Sequence, residues 1–289
     1  MPIIEPSIRP PAEAYSFLLQ VTTGCSANTC TFCGAYKGKE FRIKDYSEIY
    51  SDIAEHAAMF PDTRRVFLMD GDVLVLNNEK LLPILRKLNE AFPRLTRISS
   101  YANGYNITSR TEDELRELYD HKLRLIYIGL ESGSQSILDS CKKKPTADEM
   151  VKAVLMSDKA GIKSSVIVLL GLGGKSRSCE HIQATIAALN LMQPRYLSFL
   201  SLMLIPGTQM YADAESGSFK ELDSLELLRE SHDILQGLEM KKTIFRSNHA
   251  SNYLPLEGAL PNDKDKLLYM LKTALSGEIA LKPEFMRGL

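Results

Sequence analysis

"RLIYIGLE" (124–131), "TADEMVKAVLMSDKAG" (146–161) and "SSVIVLLG" (164–171) decide the fold. The first and third are short runs rich in Ile, Leu and Val, as expected of strands buried on both faces. The middle stretch has the helical period, with Gly161 placed to end it. Two buried strands joined through a helix imply a crossover connection, and therefore parallel pairing.

The same alternation extends in both directions. "SFLLQVT" (16–22), "RVFLMD" (65–70), "RISSYA" (97–102) and "YLSFLSLMLI" (196–205) read as further strands. "DYSEIYSDIAEHAAMF", "NEKLLPILRKLNEAF", "TEDELRELYDHK" and "SCEHIQATIAALNLM" read as helices. Capping signals stand at Asp45, at Asn77 or Asn78, and at Thr111 with Glu114 three residues on. The expected class is α/β with a parallel sheet. Six strand–helix units are fewer than the eight of a closed barrel, so a partial barrel and an open doubly wound sheet both fit. After Pro206 the pattern changes to long amphipathic stretches, "ELDSLELLRESHDILQGLEM" (221–240) and "DKDKLLYMLKTALSG". The expected organisation is a core over residues 1–206 and a helical C-terminal extension over 207–289 that packs on or covers it.

Composition narrows the function. Over 289 residues, 35 Lys and Arg face 36 Asp and Glu. A net charge of −1 leaves no electrostatic footprint for nucleic acid. No apolar run approaches the roughly 18–20 residues a membrane span needs. The start, "MPIIEPSIRPPAEAY", lacks the basic and apolar regions of a signal peptide. A cytoplasmic protein with no membrane partner is expected, in a compartment that keeps thiols reduced.

Three of the five cysteines fall within nine residues, in "GCSANTCTFCGAY" (24–36), directly after the first strand. An odd, clustered set argues against a disulfide framework. Loops at the carboxyl ends of parallel strands form the active face of such folds. Thiolates at Cys25, Cys30 and Cys33 suit a compact iron–sulfur cluster, and three ligands on four irons leave one corner open. A structural zinc site wants four ligands, and neither His56 nor His121 belongs to a pair at zinc spacing. Cys141 and Cys179 stand alone.

Here the chain resembles the radical S-adenosylmethionine (SAM) superfamily. The resemblance rests on a glycine and three cysteines after the first strand, with an aromatic, Phe32, before the last. "FLMDGD" (67–72) is similar to the family's segment that grips the methionine part of SAM. "IGLESGSQSILDSCKKKPT" (128–146) resembles the GLESGS segment of the subgroup with HemN-type coproporphyrinogen dehydrogenases and MiaB-type methylthiotransferases. "VLLGLGG" (168–174) is similar to that subgroup's glycine segment. One feature departs from the family: its usual first gap is three residues, whereas "CSANTC" has four.

The resemblance implies a partial (β/α)6 TIM-type barrel. It implies a [4Fe–4S] cluster on Cys25, Cys30 and Cys33, with SAM chelating the open iron. An electron would cleave SAM to a 5′-deoxyadenosyl radical that abstracts hydrogen from substrate, in an oxygen-sensitive enzyme. An external one-electron donor of flavodoxin or ferredoxin type is implied as partner. Phe32, Asp70, Gly71, Asp72, Asn103, Glu131, Ser132, Gly171 and Met203 are the expected cofactor-binding residues. A buried carboxylate needs a partner, so Glu131 would meet either SAM or one of Lys142, Lys143 and Lys144. Asn103-Gly104 also reads as a turn. "FRSNHASNY" (245–253) supplies His249 and Asn248 as catalytic candidates, with a side-chain-bonded turn as the alternative. The substrate class expected is a small molecule or peptide. Too few cysteines remain for a second protein-bound cluster, which disfavours sulfur insertion. A non-catalytic iron–sulfur redox carrier or sensor is the competing reading, though a carrier normally supplies four ligands.

Overall fold

The structure is a computed structural model describing residues 3–5 and 7–288. In chain order its elements begin with β1 (Phe17–Gln20), β2 (Thr22–Thr23), β3 (Arg42–Ile43), α1 (Tyr46–Met59), β4 (Arg65–Met69) and α2 (Asn78–Ala91). Next come β5 (Arg97–Tyr101), α3 (Gly104–Thr108), α4 (Glu112–Asp120), β6 (Leu123–Glu131), α5 (Gln135–Ser140) and α6 (Ala147–Lys159). The chain continues through β7 (Lys163–Leu170), α7 (Gly174–Met192), β8 (Tyr196–Ser201), α8 (Gln209–Glu215) and α9 (Ser224–Gly237). It finishes with β9 (Thr243–Arg246), β10 (Glu257–Leu260) and α10 (Lys264–Leu275). All six strands expected from the apolar runs are present.

Two compact units divide the chain. The first comprises residues 1–28, 35–128 and 152–164; the second comprises 29–34, 129–151 and 165–289. In the first unit β1 pairs with β4, β4 with β5, and β5 with β6, all parallel. The registers set Leu19 beside Leu68 and Val66 beside Ile98. These four side chains, with Phe67, Ile84 and Leu85, are completely or almost completely buried. Strand β6 is distorted against β5 by a register shift at Ile98/Ser99.

Local signals account for the helix ends. Asn77 accepts from the Lys80 amide at 3.2 Å. Thr111 and Glu114 form a reciprocal capping box at 3.2 and 2.7 Å. Gly161, at φ 87°, closes α6 as its position predicts. His56 stacks on Phe17 with ring centroids 3.8 Å apart and bonds Thr63, so it is a packing residue. An unanticipated feature is Glu13, fully buried, which accepts from Arg97 at 2.8 Å and from the Tyr127 hydroxyl at 2.7 Å. Burial, and then the neighbouring Glu13 carboxylate, raise the Tyr127 pKa.

In the second unit β7, β8 and β9 are parallel, and β10 returns antiparallel to β9. The C-terminal segment is therefore not purely helical. Between the two amphipathic stretches, β9 extends the parallel pairing, Leu197 lying beside Phe245. Helices α7 and α9 pack together, as do α9 and α10.

Candidate active site

The first unit carries Cys25 and the end of β4. Asp70 adopts a left-handed conformation, φ 68°, and its carboxylate is fully buried. Its Oδ2 accepts from the Gly24 amide at 2.9 Å, from Gln20 Nε2 at 3.3 Å and from Lys39 Nζ at 3.0 Å. Gly71 N returns a bond to Gly24 O at 3.0 Å. Asp70 thus ties the chain on both sides of the cysteine stretch, a role its place in "FLMDGD" did not reveal. Burial pushes its pKa upward against the pull of Lys39.

Gly71 is a glycine for a stated reason. A Cβ there would stand 2.8 Å from the Cys25 sulfur and 2.6 Å from its Cβ. Asp72 is buried and accepts from Ser26 Oγ at 3.3 Å, the Asn103 amide at 3.2 Å and Asn106 Nδ2. Burial drives its pKa up to about 6. Asn103 caps α3, accepting from Tyr105 N at 3.2 Å, so the turn reading of Asn103-Gly104 holds for its side chain. Asn28, at φ 24°, turns the chain inside the four-residue gap and donates to Tyr36 O at 3.0 Å.

The second unit carries Cys30 and Cys33. Between them the Thr31 amide donates to Cys141 O at 2.9 Å, and Thr31 O accepts from Met210 N at 3.1 Å. Phe32 packs on Ile137, Cys141, Leu172, Leu202 and Met210. The loop is thus anchored by backbone bonds and an apolar side chain, leaving the thiols half-buried. None of the five cysteines is in a disulfide. Among the described residues no three His, Cys, Asp or Glu form a group able to hold a single metal ion. A cuboidal cluster makes a different demand, one thiolate per iron. Three reduced, partly exposed thiols, with a glycine keeping space beside Cys25, fit that demand.

Glu131 turns left-handed, φ 61°, at the end of β6, and its Oε1 lies 3.6 Å from Lys143 Nζ. The lysine partner anticipated for this carboxylate is therefore present, and burial still raises the Glu131 pKa. Ser132 is fully buried and meets His181 Nδ1 at 2.8 Å. Gly171 has φ 84°, and the position of its missing Cβ is 2.9 Å from Leu227 of α9. Its amide donates to Glu230 Oε1 at 2.6 Å. Met203 follows β8 and is half-buried. His249 bonds Ser251 Oγ at 2.9 Å, with its pKa lowered by burial, while exposed Asn248 reaches Glu257 at 3.4 Å. In the same loop Asn252 donates to Ser247 O at 3.0 Å, a side-chain-bonded turn, and also to Phe199 O at 2.7 Å.

Sequence reasoning missed Gln20, Lys39, His181 and Glu230. For the last two a signal existed: Glu230 shares the buried face of α9 with Leu227 and Ile234, and His181 that of α7 with Thr185 and Leu189.

Residues 19–186 match the family model described as the Radical SAM superfamily. A curated protein of Pyrococcus horikoshii, named an uncharacterized methyltransferase, is 24% identical over 197 residues. That alignment covers 67% of this chain and 41% of the relative, and the chain spans less than half the length of the curated relatives it matches. Among solved structures, methylornithine synthase is similar with a TM-score of 0.56 at 14% identity, over 77% of this chain and 61% of that one. Coproporphyrinogen III oxidase (HemN) of Escherichia coli is similar with a TM-score of 0.54 at 16% identity, over 76% and 50%. At such identities the likeness shows a shared fold.

Proposed function

We propose, from the premise that this chain belongs to the radical SAM superfamily, that it is an enzyme abstracting hydrogen from a small-molecule or peptide substrate. The observation that carries this is the trio of reduced, half-buried thiols at Cys25, Cys30 and Cys33, with Gly71 keeping room at Cys25. These residues would hold a [4Fe–4S] cluster. Bound together, cluster and SAM supply one-electron cleavage of a sulfonium carbon–sulfur bond.

The chain's own residues bind, orient and shield. Asp70 holds the loop in which Cys25 sits through the Gly24 amide. Asp72 fixes Ser26 and the start of α3. Phe32, between Cys30 and Cys33, seats its loop against an apolar cluster. Glu131, Ser132, Gly171, Met203 and Asn103 would line the nucleoside part of SAM, with Glu131 offering whatever acceptor capacity Lys143 leaves. His249 and Asn248 remain the candidates for contact with substrate.

Placement in the HemN- and MiaB-like subgroup rests on "GLESGS" (129–134). We assign a radical SAM core to 1–206 and a C-terminal extension to 207–289, while the compact units follow other boundaries. A flavodoxin- or ferredoxin-type donor would deliver the electron. No helix among the described residues is long and apolar enough to cross a membrane; a cytoplasmic location is part of the proposal.

The test is anaerobic reconstitution with iron and sulfide, followed by SAM and dithionite. Release of 5′-deoxyadenosine and methionine is expected. A loaded cluster that yields neither would overturn the reading, and a cluster spectrum indifferent to SAM would favour the redox carrier.

A further inference from the structure

Buried in the second unit is a chain of polar groups that cluster chemistry does not require. His181 and Glu230 are both fully buried, and His181 Nε2 faces Glu230 Oε1 at 3.6 Å. On the other ring edge Nδ1 meets Ser132 Oγ at 2.8 Å. Ser132 Oγ already accepts from the Ser134 amide at 3.1 Å, so its hydroxyl hydrogen is available to Nδ1. That assignment places the imidazole hydrogen on Nε2, directed at Glu230, where no hydrogen-bond partner lies in range. Glu230 accepts from Gly171 N at 2.6 Å through Oε1 and from Ser178 through Oε2.

Two facts separate this from ordinary core packing. A carboxylate at an apolar position of a helix is costly, and a hydrophobic residue of similar volume is often the more stable choice. The network also ends on Ser132 of "GLESGS" and Gly171 of "GLGG", the segments expected to receive SAM. Gly133 N is held separately by Thr185 Oγ1 at 3.0 Å, and Leu227 fills the space beside Gly171.

We propose that Glu230 and His181 are positioning residues: Glu230, on a helix outside residues 19–186, fixes the Gly171 amide, and His181 orients the Ser132 hydroxyl. The C-terminal segment thereby shapes the Gly171 loop of the cofactor site through Glu230, while His181, on α7, shapes the Ser132 loop. This rests on the proposed function, since it assumes that those loops bind SAM.

The test compares wild type, Glu230→Leu and Glu230→Gln, each loaded anaerobically, by calorimetric SAM binding alongside iron content and thermal unfolding. Expected for Glu230→Leu is SAM binding weaker by about tenfold at unchanged iron content, with no loss of thermal stability. Glu230→Gln keeps an acceptor for Gly171 N and a donor for Ser178, and is expected to restore affinity to within about threefold of wild type. Wild-type affinity in Glu230→Leu, or an equal loss in Glu230→Gln, overturns the proposal. Should Glu230→Leu fail to fold, Ser178→Ala and His181→Phe replace it, and wild-type affinity in both overturns the proposal. Loaded wild type that binds no SAM overturns the proposed function itself, and the inference with it.

Discussion

Replacing Lys39 with methionine probes the clamp on the cysteine stretch. The side chain keeps similar length and apolar contact but loses the ammonium that sits 3.0 Å from Asp70 Oδ2. Asp70 is fully buried, and its remaining donors are the Gly24 amide and Gln20 Nε2, while Oδ1 has no partner. Removing one member of a buried pair typically costs about 3–5 kcal/mol. The carboxyl has an escape, which is to take up a proton. From its ordinary value of 3.8 that costs at most about 4.4 kcal/mol at pH 7 and about 1.6 kcal/mol at pH 5, at ~1.36 kcal/mol per unit.

The sign follows from the direction of the shift. A carboxyl whose folded pKa is raised contributes stability below its unfolded pKa and loses it as pH rises through the folded value. Lys39→Met raises the Asp70 pKa further, so the penalty is largest at neutral pH. Thermal unfolding of the apoprotein in reductant at pH 7 is expected to show a loss of roughly 10 °C, at least halved at pH 5. Asp70→Asn in the Lys39→Met background removes the stranded charge and is expected to recover most of the neutral-pH loss. The bond from Lys39 Nζ to Ile4 O, 2.6 Å, is lost in both variants and sets the unrecovered, pH-independent part. Equal losses at both pH values, or no recovery in the double variant, would refute the reasoning.

Three further outcomes are expected. Alanine at Cys25, Cys30 or Cys33, singly, abolishes cluster loading measured as iron and sulfide per chain, whereas Cys179→Ala, exposed on α7, leaves it unchanged. Gly71→Ala, whose methyl would lie 2.8 Å from the Cys25 sulfur, lowers cluster content, and full loading would show the space to be unnecessary. Burial raises the Glu230 pKa from 4.5 to about 7, so wild type loses stability as pH climbs through that window. Glu230→Gln avoids a cost of about 3 kcal/mol above pH 7, and its unfolding midpoint should exceed wild type at pH 8 and converge with it near pH 4.5.

What could be read from the chain follows from how local each signal is. Strands such as β6 and β7 announce themselves because burial on both faces demands continuous apolar residues. Strand β9 is four residues long and β10 reads Glu-Gly-Ala-Leu, so neither has a pattern of its own. They exist by pairing with neighbours, and the C-terminal segment consequently looked helical. The cysteine triplet was legible because its members share one loop. The carboxylates were harder: "FLMDGD" drew attention to the loop after β4, yet there Asp70 is engaged with Gly24, Gln20 and Lys39 rather than left open. Glu230 and Gly171 are 59 residues apart, and no local spacing announces that bond. A charged residue on an apolar helical stripe was the available hint.

Glu13 bears on where this chain can be cut. The family match starts at residue 19, which invites a trimmed version opening at β1. Such a version would strip the Arg97 guanidinium, on β5, of its counter-ion and the Tyr127 hydroxyl, on β6, of its acceptor. Glu13 therefore acts as a keystone ahead of β1, and deletion mapping should keep it.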